Sequence, residues 1–340
     1  MPTDPAIASA IRRTDYLRRG LTCGRRKEWL HFCVLAGETE LLVNLNLSDL
    51  SADAEFGRVV MLARTGGGEW VGGIDTIDEA DIDARAGGMD LQLRQSSARW
   101  YDDAFYVNAE LESGAVQCSV RLRPVVQPAF IPNFPLVPGM PVHWLLVPRL
   151  VADGEVTVGT KTVRVDGALA YHDHNWGEFQ WGADFAWEWG YALPDDRDNP
   201  WSLVFVRFTD RGRSRAQLQS LMLWRGSDRV ALLRDRSLTV ARQGLLNARS
   251  LPTFPPIMRL LSPGTATDVP ARLSVTASAN DAEVSLDYTP DSIARIVAPN
   301  DLNLRLTHIN ETSGCVRLRG TVGNERIDFT GRGMWEFLHG

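Results

Sequence analysis

The feature that most constrains the fold is a series of alternating segments joined by two-residue turns. In "EVTVGTKTVRVDG", apolar residues recur at alternate positions on both sides of Gly159-Thr160. "CVRLRGTVGNERIDFTGRG" repeats this pattern around Gly323-Asn324. A period of two is that of a strand, and two-residue links containing Gly or Asn are typical of β-hairpins. The chain is therefore predicted to form antiparallel sheet at these places.

Strands are predicted in much of the remaining sequence, and helices in little of it. Helices are expected at residues 4–19, in "SIARIVA" near Ile293, and as a turn or short helix in "FPPIMRLL" at 254–261. Many short strands with regularly spaced turns predict an all-β sandwich or barrel. The further predicted strands and hairpins are "ELLVNLNLSDL", "ELESGAVQCSVRLRP", "WSLVFVRF" from Trp201, and "ARLSVTASANDAEVSLDY" with a turn at Asn280-Asp281.

A proline-rich segment, "QPAFIPNFPLVPGMPVHW", lies between Gln127 and Trp144. Its prolines exclude a helix and interrupt a sheet ladder. The segment is either a domain linker or an ordered loop. Phe130, Phe134 and Leu136 are too apolar for a solvated linker, which favours a packed loop.

Charge and composition exclude several classes of protein. The formal net charge of −6 and the absence of a basic run argue against a nucleic-acid partner. There is no apolar run of about 20 residues and no signal-peptide core, so a cytoplasmic protein is expected. Cys23, Cys33, Cys118 and Cys315 form no C-x-x-C pair, and we expect them to be buried small residues.

The segment "YHDHNWGEFQWGADFAWEWGYA", residues 171–192, combines ionisable and aromatic side chains. His172 and His174 are two residues apart, so on a strand they share one face and Asp173 takes the other. Two such histidines could be ligands of zinc or non-haem iron. A third ligand would have to come from His31, His143, His308 or a carboxylate, none of which has a typical spacing, so no metal site is predicted. A core strand with hydrogen-bonded histidines is the alternative structural interpretation.

The same segment also fits acid–base chemistry. Trp187 and Trp189 alternate with Glu188, and the strands of His172 and Glu188 are expected to be neighbours. A carboxyl group in an apolar, aromatic setting is harder to ionise and can donate a proton near neutral pH. Tryptophan faces can stabilise a developing carbocation. Asp173 and the histidines could line one pocket only if the strand bulges between them.

At these residues the sequence resembles a known group of proteins. "GALAYHDHNWG", with "VHWLLVPRLVADGEVTV" before it and "WEWGYAL" after it, resembles the superfamily of carotenoid 1,2-hydratases (hydroxyneurosporene synthases). This superfamily includes AttH-like proteins and lipocalin-like Diels–Alderases. "RKEWLHF" and "GRGMWEFL" are weaker matches to its first and closing strands. The resemblance implies two lipocalin-like (calycin-type) antiparallel β-barrel or sandwich units, packed together, with few short helices. They are expected at residues 1–140 and 141–340, with the boundary placed within about 125–200.

The resemblance also implies an activity. We expect a cofactor-independent enzyme, a hydratase or cyclase, that acts on an extended hydrophobic polyene or terpenoid in a pocket between the two units. His172, His174 and Trp176 match the family motif, whereas Glu188 and Tyr191 are approximate counterparts. The expected acid is Asp173 or Glu188, assisted by His172 or His174. The expected substrate-binding residues are Trp176, Asn175, Trp187, Trp189, Tyr191 and Asp184.

Two other functions remain open at this stage. One is a pericyclic cyclase of the Diels–Alderase type, which works by folding its substrate and by hydrogen bonds to a carbonyl. The other is a non-catalytic lipid-binding protein. In each case the partner is a hydrophobic small molecule, which could bring the protein close to a membrane surface.

Overall fold

The computed structural model describes residues 2–18, 26–51, 54–85, 87–137, 139–248, 250–279 and 281–339. The chain divides into two compact units, residues 1–179 and 180–340. Each unit is built on one large, mainly antiparallel sheet, which confirms the predicted all-β class. No helix of the described residues is long and apolar enough to cross a membrane.

The described residues of the first unit form one α-helix, α1, at Pro5–Thr14, and twelve strands. Asp4 caps α1 by accepting a hydrogen bond from the backbone N–H of Ala6, and the helix buries Ile7, Ala8 and Ile11. The strands are β1 Arg26–Ala36, β2 Thr39–Ser51, β3 Ala54–Thr65, β4 Val71–Asp78, β5 Ile82–Ala84, β6 Asp90–Leu93, β7 Ser96–Tyr101, β8 Ala104–Glu110, β9 Val116–Pro124, β10 Ala129–Val137, β11 Met140–Val158 and β12 Lys161–Glu178.

Ten strands are formed by the part of the second unit that the structure describes. Short 3-10 helices occur at Glu79–Asp81 in the first unit and at Asp235–Ser237 and Pro256–Leu260 in the second. The strands are β13 Ala186–Pro194, β14 Trp201–Thr209, β15 Ala216–Arg225, β16 Asp228–Arg234, β17 Leu238–Gln243, β18 Thr253–Phe254, β19 Arg272–Ala279, β20 Ala282–Pro299, β21 Leu306–Val322 and β22 Glu325–His339.

The two sheets follow the same strand order. In the first sheet, β1 lies between β2 and β12, and the order continues through β11, β9 and β8. In the second sheet, β13 lies between β14 and β22, and the order continues through β21, β20 and β19. The first strand of each unit therefore pairs with the last strand of the same unit.

Both sheets curl towards closure. In the first unit, β3 and β6 come so close that a Cβ on Gly57 would lie 2.8 Å from Leu93 Cδ2. In the second unit, the side chain of Gln219 on β15 donates a hydrogen bond to the carbonyl of Leu238 on β17 at 3.0 Å. Each sheet thus has an inner face that holds a core and an outer face.

The hairpins predicted from the sequence are confirmed. Strands meet across Gly159-Thr160 and Gly323-Asn324, and β8 and β9 form the hairpin expected in "ELESGAVQCSVRLRP". β19 and β20 pair as predicted, although Asn280 of their turn lies outside the described residues. The 3-10 helix at Pro256–Leu260 agrees with the short helix expected there.

Three predicted features differ in the structure. "SIARIVA" is not helical, because its β-branched residues belong to β20, which pairs along its length with β21. Helix α1 ends at Thr14, and Asp15 adopts an extended conformation; residue 19 lies outside the described part of the chain. Residues 141–178, assigned to the C-terminal unit in the sequence-based division, form most of β11 and β12 in the first sheet.

The proline-rich segment is packed, as expected, but it is a strand instead of a loop. β10 pairs with β11, and its register shifts between Ile131 and Phe134 and again after Pro135. These irregularities accommodate prolines in the ladder. Phe134 is buried, while Phe130 is largely exposed.

Two of the cysteines are buried as predicted, namely Cys33 and Cys118. Cys315 is exposed, because it lies on the solvent side of β21, where its Sγ is 3.7 Å from a guanidinium nitrogen of Arg332. Cys23 lies outside the described residues.

Candidate functional site

The alternation of side chains on β12 divides the predicted motif between two faces. The pairing of β1 with β12 runs without a register shift from Arg26 opposite Glu178 to Leu35 opposite Leu169. Because β12 therefore has no bulge here, its successive side chains take opposite faces. His172 contacts Phe105 of β8, which lies across the curled sheet, at 4.5 Å between ring centroids. His172, His174 and Trp176 thus point inwards, and Tyr171, Asp173 and Asn175 point outwards.

The two histidines bind acidic groups inside the first unit. His172 Nε2 lies 3.0 Å from Asp15 Oδ2, and His174 Nδ1 lies 2.8 Å from Asp15 Oδ1. His174 Nε2 lies 3.0 Å from Glu28 Oε1, and His172 Nδ1 donates to the carbonyl of His31 at 3.0 Å. All four ring nitrogens are therefore engaged. We call Asp15, Glu28, His172 and His174 the Asp15 network.

Mutual charge compensation stabilises this network. Burial alone would lower the pKa of His174, but its hydrogen bonds with Asp15 and Glu28 raise it to about 9. Burial alone would raise the pKa of Asp15, but the two histidines hold it well below its usual range. Asp15 follows the C-terminus of α1, where the helix dipole disfavours a negative charge, so the imidazoles offset that cost as well. The network joins α1 to β1 and β12.

These contacts weigh against the metal hypothesis, since the histidine nitrogens are already committed to Asp15, Glu28 and a backbone carbonyl. Among the described residues, no three His, Cys, Asp or Glu side chains are grouped as metal ligands would be.

Trp176 lies on the inner side with the histidines. The guanidinium of Arg18 is 4.3 Å from its ring centroid, and the His143 and Phe130 rings stack on it at 5.2 and 5.6 Å. Trp176 therefore packs against two aromatic rings and one guanidinium group, and it does not share a face with Asp173.

The outward side chains of β1, β2 and β12 form a largely buried polar patch that we call the Asp173 face: His31, Asn44, Tyr171, Asp173 and Asn175. Tyr171 donates to Asp173 Oδ2 at 2.8 Å, and Asn175 donates to Asp173 Oδ1 at 2.6 Å. Burial, with the nearby charge of His172, lowers the pKa of His31 to about 3, so His31 is neutral at physiological pH. The face thus offers amides, a hydroxyl and a neutral imidazole around one carboxylate.

In the second unit, Glu188 points inwards. Its carboxylate accepts hydrogen bonds from Arg207 Nη1 and Arg213 Nη1, each at 3.3 Å, and lies 3.2 Å from Arg242 Nε. Three guanidinium groups therefore surround this one carboxylate. β13 and β12 also belong to different sheets, so the prediction that they are neighbouring strands is wrong. β12 pairs with β1, the first strand of its unit, and β13 pairs with β22, the last strand of its unit. The local sequence does not reveal these pairings.

The outer face of β13 holds the predicted aromatic wall. Trp189 is directly opposite Glu336 of β22, and Glu336 is opposite Glu311 of β21. Trp187 donates a hydrogen bond from Nε1 to Glu336 Oε1, and the Glu336 and Glu311 carboxyl groups are hydrogen-bonded to each other. Tyr191 lies beside Trp189, with ring centroids 6.1 Å apart. We call Trp187, Trp189, Tyr191, Glu311 and Glu336 the Glu336 face.

Glu336 has the environment that sequence reasoning had assigned to Glu188. Burial raises the pKa of Glu336, and the hydrogen bonds from Glu311 and Trp187 offset only part of this effect. Two adjacent carboxyl groups cannot both ionise cheaply, which agrees with the raised pKa of Glu336. Glu311 is buried and Glu336 is partly accessible, which leaves a route for exchange with solvent.

The remaining predicted residue, Asp184, is exposed in the turn before β13, where it accepts a hydrogen bond from the backbone of Arg211 at 3.0 Å. Sequence reasoning missed Asp15, Glu28, Glu311 and Glu336. Part of the sequence pattern could have pointed to two of these residues. Glu28 precedes a tryptophan in the first strand of its unit, as Glu188 does, and "MWEFL" places Glu336 between inward-pointing Trp335 and Phe337.

Comparison with solved structures identifies the fold. An AttH-like protein from Nitrosomonas europaea superposes with a TM-score of 0.64 at 15% identity, covering 99% of this chain and 98% of that one. The chain shares this fold. CghA, solved with Sch210972, gives a TM-score of 0.62 at 15% identity, covering 93% of this chain and 89% of CghA.

Kievitone hydratase from Nectria haematococca gives a TM-score of 0.60 at 12% identity, covering 100% of this chain and 95% of the hydratase. These structures share their fold with this chain, so the resemblance of "YHDHNWG" is confirmed for the fold. No protein-family model and no curated protein sequence matches the chain.

Proposed function

We propose that the protein is an enzyme that protonates an alkene in an extended apolar substrate, a polyene or terpenoid, and thereby hydrates or cyclises it without a cofactor. The observation that carries this proposal is the Glu336 face, where a carboxyl group with a raised pKa lies beside Trp187, Trp189 and Tyr191. Kievitone hydratase has the same fold, and CghA, also of this fold, was solved with the small molecule Sch210972.

The reaction begins with a proton transfer. The O–H bond of Glu336 breaks as a C–H bond forms at one alkene carbon, and a cation remains on the other carbon. The faces of Trp187 and Trp189 stabilise that cation. In hydration, water adds to the cation and its proton returns to the carboxyl pair. In cyclisation, a second alkene of the substrate attacks the cation, which forms a C–C bond and a new cation. A carbon next to the new cation then loses a proton to the carboxyl pair, and an alkene forms.

This assignment replaces Asp173 and Glu188 as the acid. Asp173 accepts two hydrogen bonds from neighbouring side chains, and Glu188 is bound by three guanidinium groups, so neither carboxylate is placed as a free proton donor beside the tryptophans. His172 and His174 are held by Asp15 and Glu28 on the inner face, where they stabilise the first unit.

Glu336→Gln tests the proposal, because the amide keeps the shape of the side chain but cannot donate an acidic proton. The wild type is first screened against polyenes and terpenoids in D2O, with product mass and deuterium content as the readout. We expect deuterium in the new C–H bond and a loss of about 10²- to 10⁴-fold in kcat for the variant. Glu325→Gln, an exposed glutamate on the same strand, is the matched control and should keep wild-type activity. Near-full activity of Glu336→Gln would contradict the acid mechanism.

A second function is favoured by the Asp173 face. Asn44, Asn175 and the neutral His31 supply hydrogen-bonding groups without net charge, which suits a pericyclic cyclase that polarises a carbonyl and folds its substrate. Such an enzyme would form a product without solvent deuterium and would retain activity in Glu336→Gln. Asn175→Ala and Asn44→Ala would then reduce kcat. A protein that binds the apolar molecules and converts none of them would be a lipid-binding protein.

A further inference from the structure

The inner face of the second unit carries a cluster of guanidinium groups around Glu188 and Asp268. Arg213 bridges the two carboxylates, donating from Nη1 to Glu188 at 3.3 Å and from Nη2 to Asp268. Arg207 donates to Glu188, and Arg242 lies against Glu188 and donates to the backbone carbonyl of Asp268. We call these five residues, together with Arg295, the arginine cluster.

Arg295 joins the cluster through Asn310. It donates to Asn310 Oδ1 at 3.2 Å and to Ser262 Oγ at 3.3 Å, and Asn310 in turn donates to Asp268 Oδ1 at 3.3 Å. Arg295 is only 5% exposed, and no carboxylate among its described partners pairs with it directly.

The charges of the cluster do not balance. Among its described members, four guanidinium groups face two carboxylates, which leaves an excess of two positive charges. Burial lowers the pKa of Arg213; the two carboxylates oppose this shift, and the neighbouring Arg242 and Arg207 add to it. Like charges are therefore crowded in a partly desolvated place, which costs free energy unless an anion compensates them.

Arg207 has a hydrogen-bond donor that is not used within the cluster. Its Nε is buried and has no hydrogen-bond partner among the described residues, while the side chain as a whole is 15% exposed. The Arg242 side chain is 26% exposed, so solvent reaches this edge of the cluster. A guanidinium presents N–H groups in a fork that matches two oxygens of a carboxylate or phosphate.

We propose that the arginine cluster binds an oxoanion, a carboxylate or phosphate group, at the edge formed by Arg207 and Arg242. This site is separate from the Glu336 face, because Glu188 and Arg207 lie on the inner face of the sheet whereas Glu336 lies on the outer face. The proposal therefore holds or fails independently of the proposed reaction.

The test is thermal unfolding and titration calorimetry of the full chain with inorganic phosphate, with octanoate and with chloride, at one ionic strength. We expect a saturable rise in Tm with phosphate, octanoate or both, and none with chloride. A response to phosphate alone points to a free inorganic anion or a phosphorylated ligand. A response to octanoate alone points to an apolar acid. The same effect of all three ions on Tm, or no effect of any of them, would overturn the proposal.

Arg207→Gln should weaken oxoanion binding at least tenfold, because it removes this guanidinium. Arg207→Lys keeps the positive charge but lacks the forked N–H donors of a guanidinium, so it should bind the oxoanion with intermediate strength. Arg236→Gln, an exposed arginine of the same unit, is the control and should bind as the wild type does. Circular dichroism verifies that each variant is folded. Wild-type affinity in folded Arg207→Gln would also overturn the proposal.

Discussion

At the scale of single residues, the partners of an acidic group decide its role, and sequence neighbours do not reveal those partners. Glu188 and Glu336 both adjoin tryptophans in sequence. Glu188 nevertheless faces three arginines, whereas Glu336 faces a carboxyl group and an indole N–H. The environment of Glu336 raises its pKa, because the carboxyl group is buried. Each of these partners lies at a distance along the chain from the glutamate that it binds, and Trp187 is 149 positions from Glu336.

The pKa of His174 predicts how stability depends on pH. Its value of about 9 in the folded protein exceeds the ordinary 6.5, so the folded state binds this proton more tightly than the unfolded chain does. The stabilisation is fully present below pH 6.5 and is lost as the pH rises through about 9. At roughly 1.4 kcal/mol per pKa unit, the loss is about 3 kcal/mol.

Urea unfolding of the wild type and of His174→Gln between pH 6 and 10 measures this effect. The difference in the free energy of unfolding between the two proteins should shrink as the pH rises. His308→Gln changes a partly exposed histidine of the second unit and should keep the wild-type slope. Parallel curves for the wild type and His174→Gln would show that His174 is not charged in the folded state.

At the scale of strands, alternation was predictable and pairing partners were not. The sequence correctly placed His172 and His174 opposite Asp173, and Trp187 and Trp189 opposite Glu188. It did not show which strand lies beside each face, because β1 reaches β12 and β13 reaches β22 across long stretches of chain. Glu311 and Glu336 were therefore missed: Glu336 lies in "GRGMWEFL", which resembles a closing strand, and Glu311 precedes the hairpin predicted from Cys315 onwards.

The close approach of β13 and β22 gives a prediction at this scale. A Cβ on Gly190 would lie 2.2 Å from Trp335 Cδ2, and that ring is fixed by Tyr288 and Phe205 at 4.6 and 5.4 Å. We expect Gly190→Ala to lower the free energy of unfolding by about 1–3 kcal/mol through overpacking. Gly88→Ala, which meets no atom within 4 Å, should change it by less than about 0.5 kcal/mol. Denaturant unfolding of both variants makes the comparison, and equal stabilities would contradict the packing argument.

At the scale of the whole molecule, each unit is assembled by contacts between distant parts of the chain. The hydrogen bond between His174 and Glu28 joins residues 146 positions apart. The first strand of each unit therefore remains incompletely paired until the last strand of that unit has formed. This arrangement explains why the motif at 171–178 cannot be interpreted without residues 15–31.

Such non-local pairing predicts slow folding. Closing long loops costs conformational entropy before the non-local contacts can form. We therefore expect refolding in milliseconds to seconds or longer, as for other all-β proteins. Stopped-flow tryptophan fluorescence after dilution from urea measures the rate. Complete refolding within microseconds would mean that local contacts, instead of the β1–β12 and β13–β22 pairings, limit folding.

The sequence alone determined the all-β class, most hairpins and which strand residues of the motif share a face, because these follow from a two-residue period and from turn chemistry. It also supplied the resemblance to a lipocalin-like superfamily. The tertiary structure decided which charged groups meet. It placed Asp15 and Glu28 against the histidines, arginines against Glu188, and Glu311 against Glu336. Ionisation depends on neighbours within a few ångströms, and in a curled sheet those neighbours come from strands far apart in the chain.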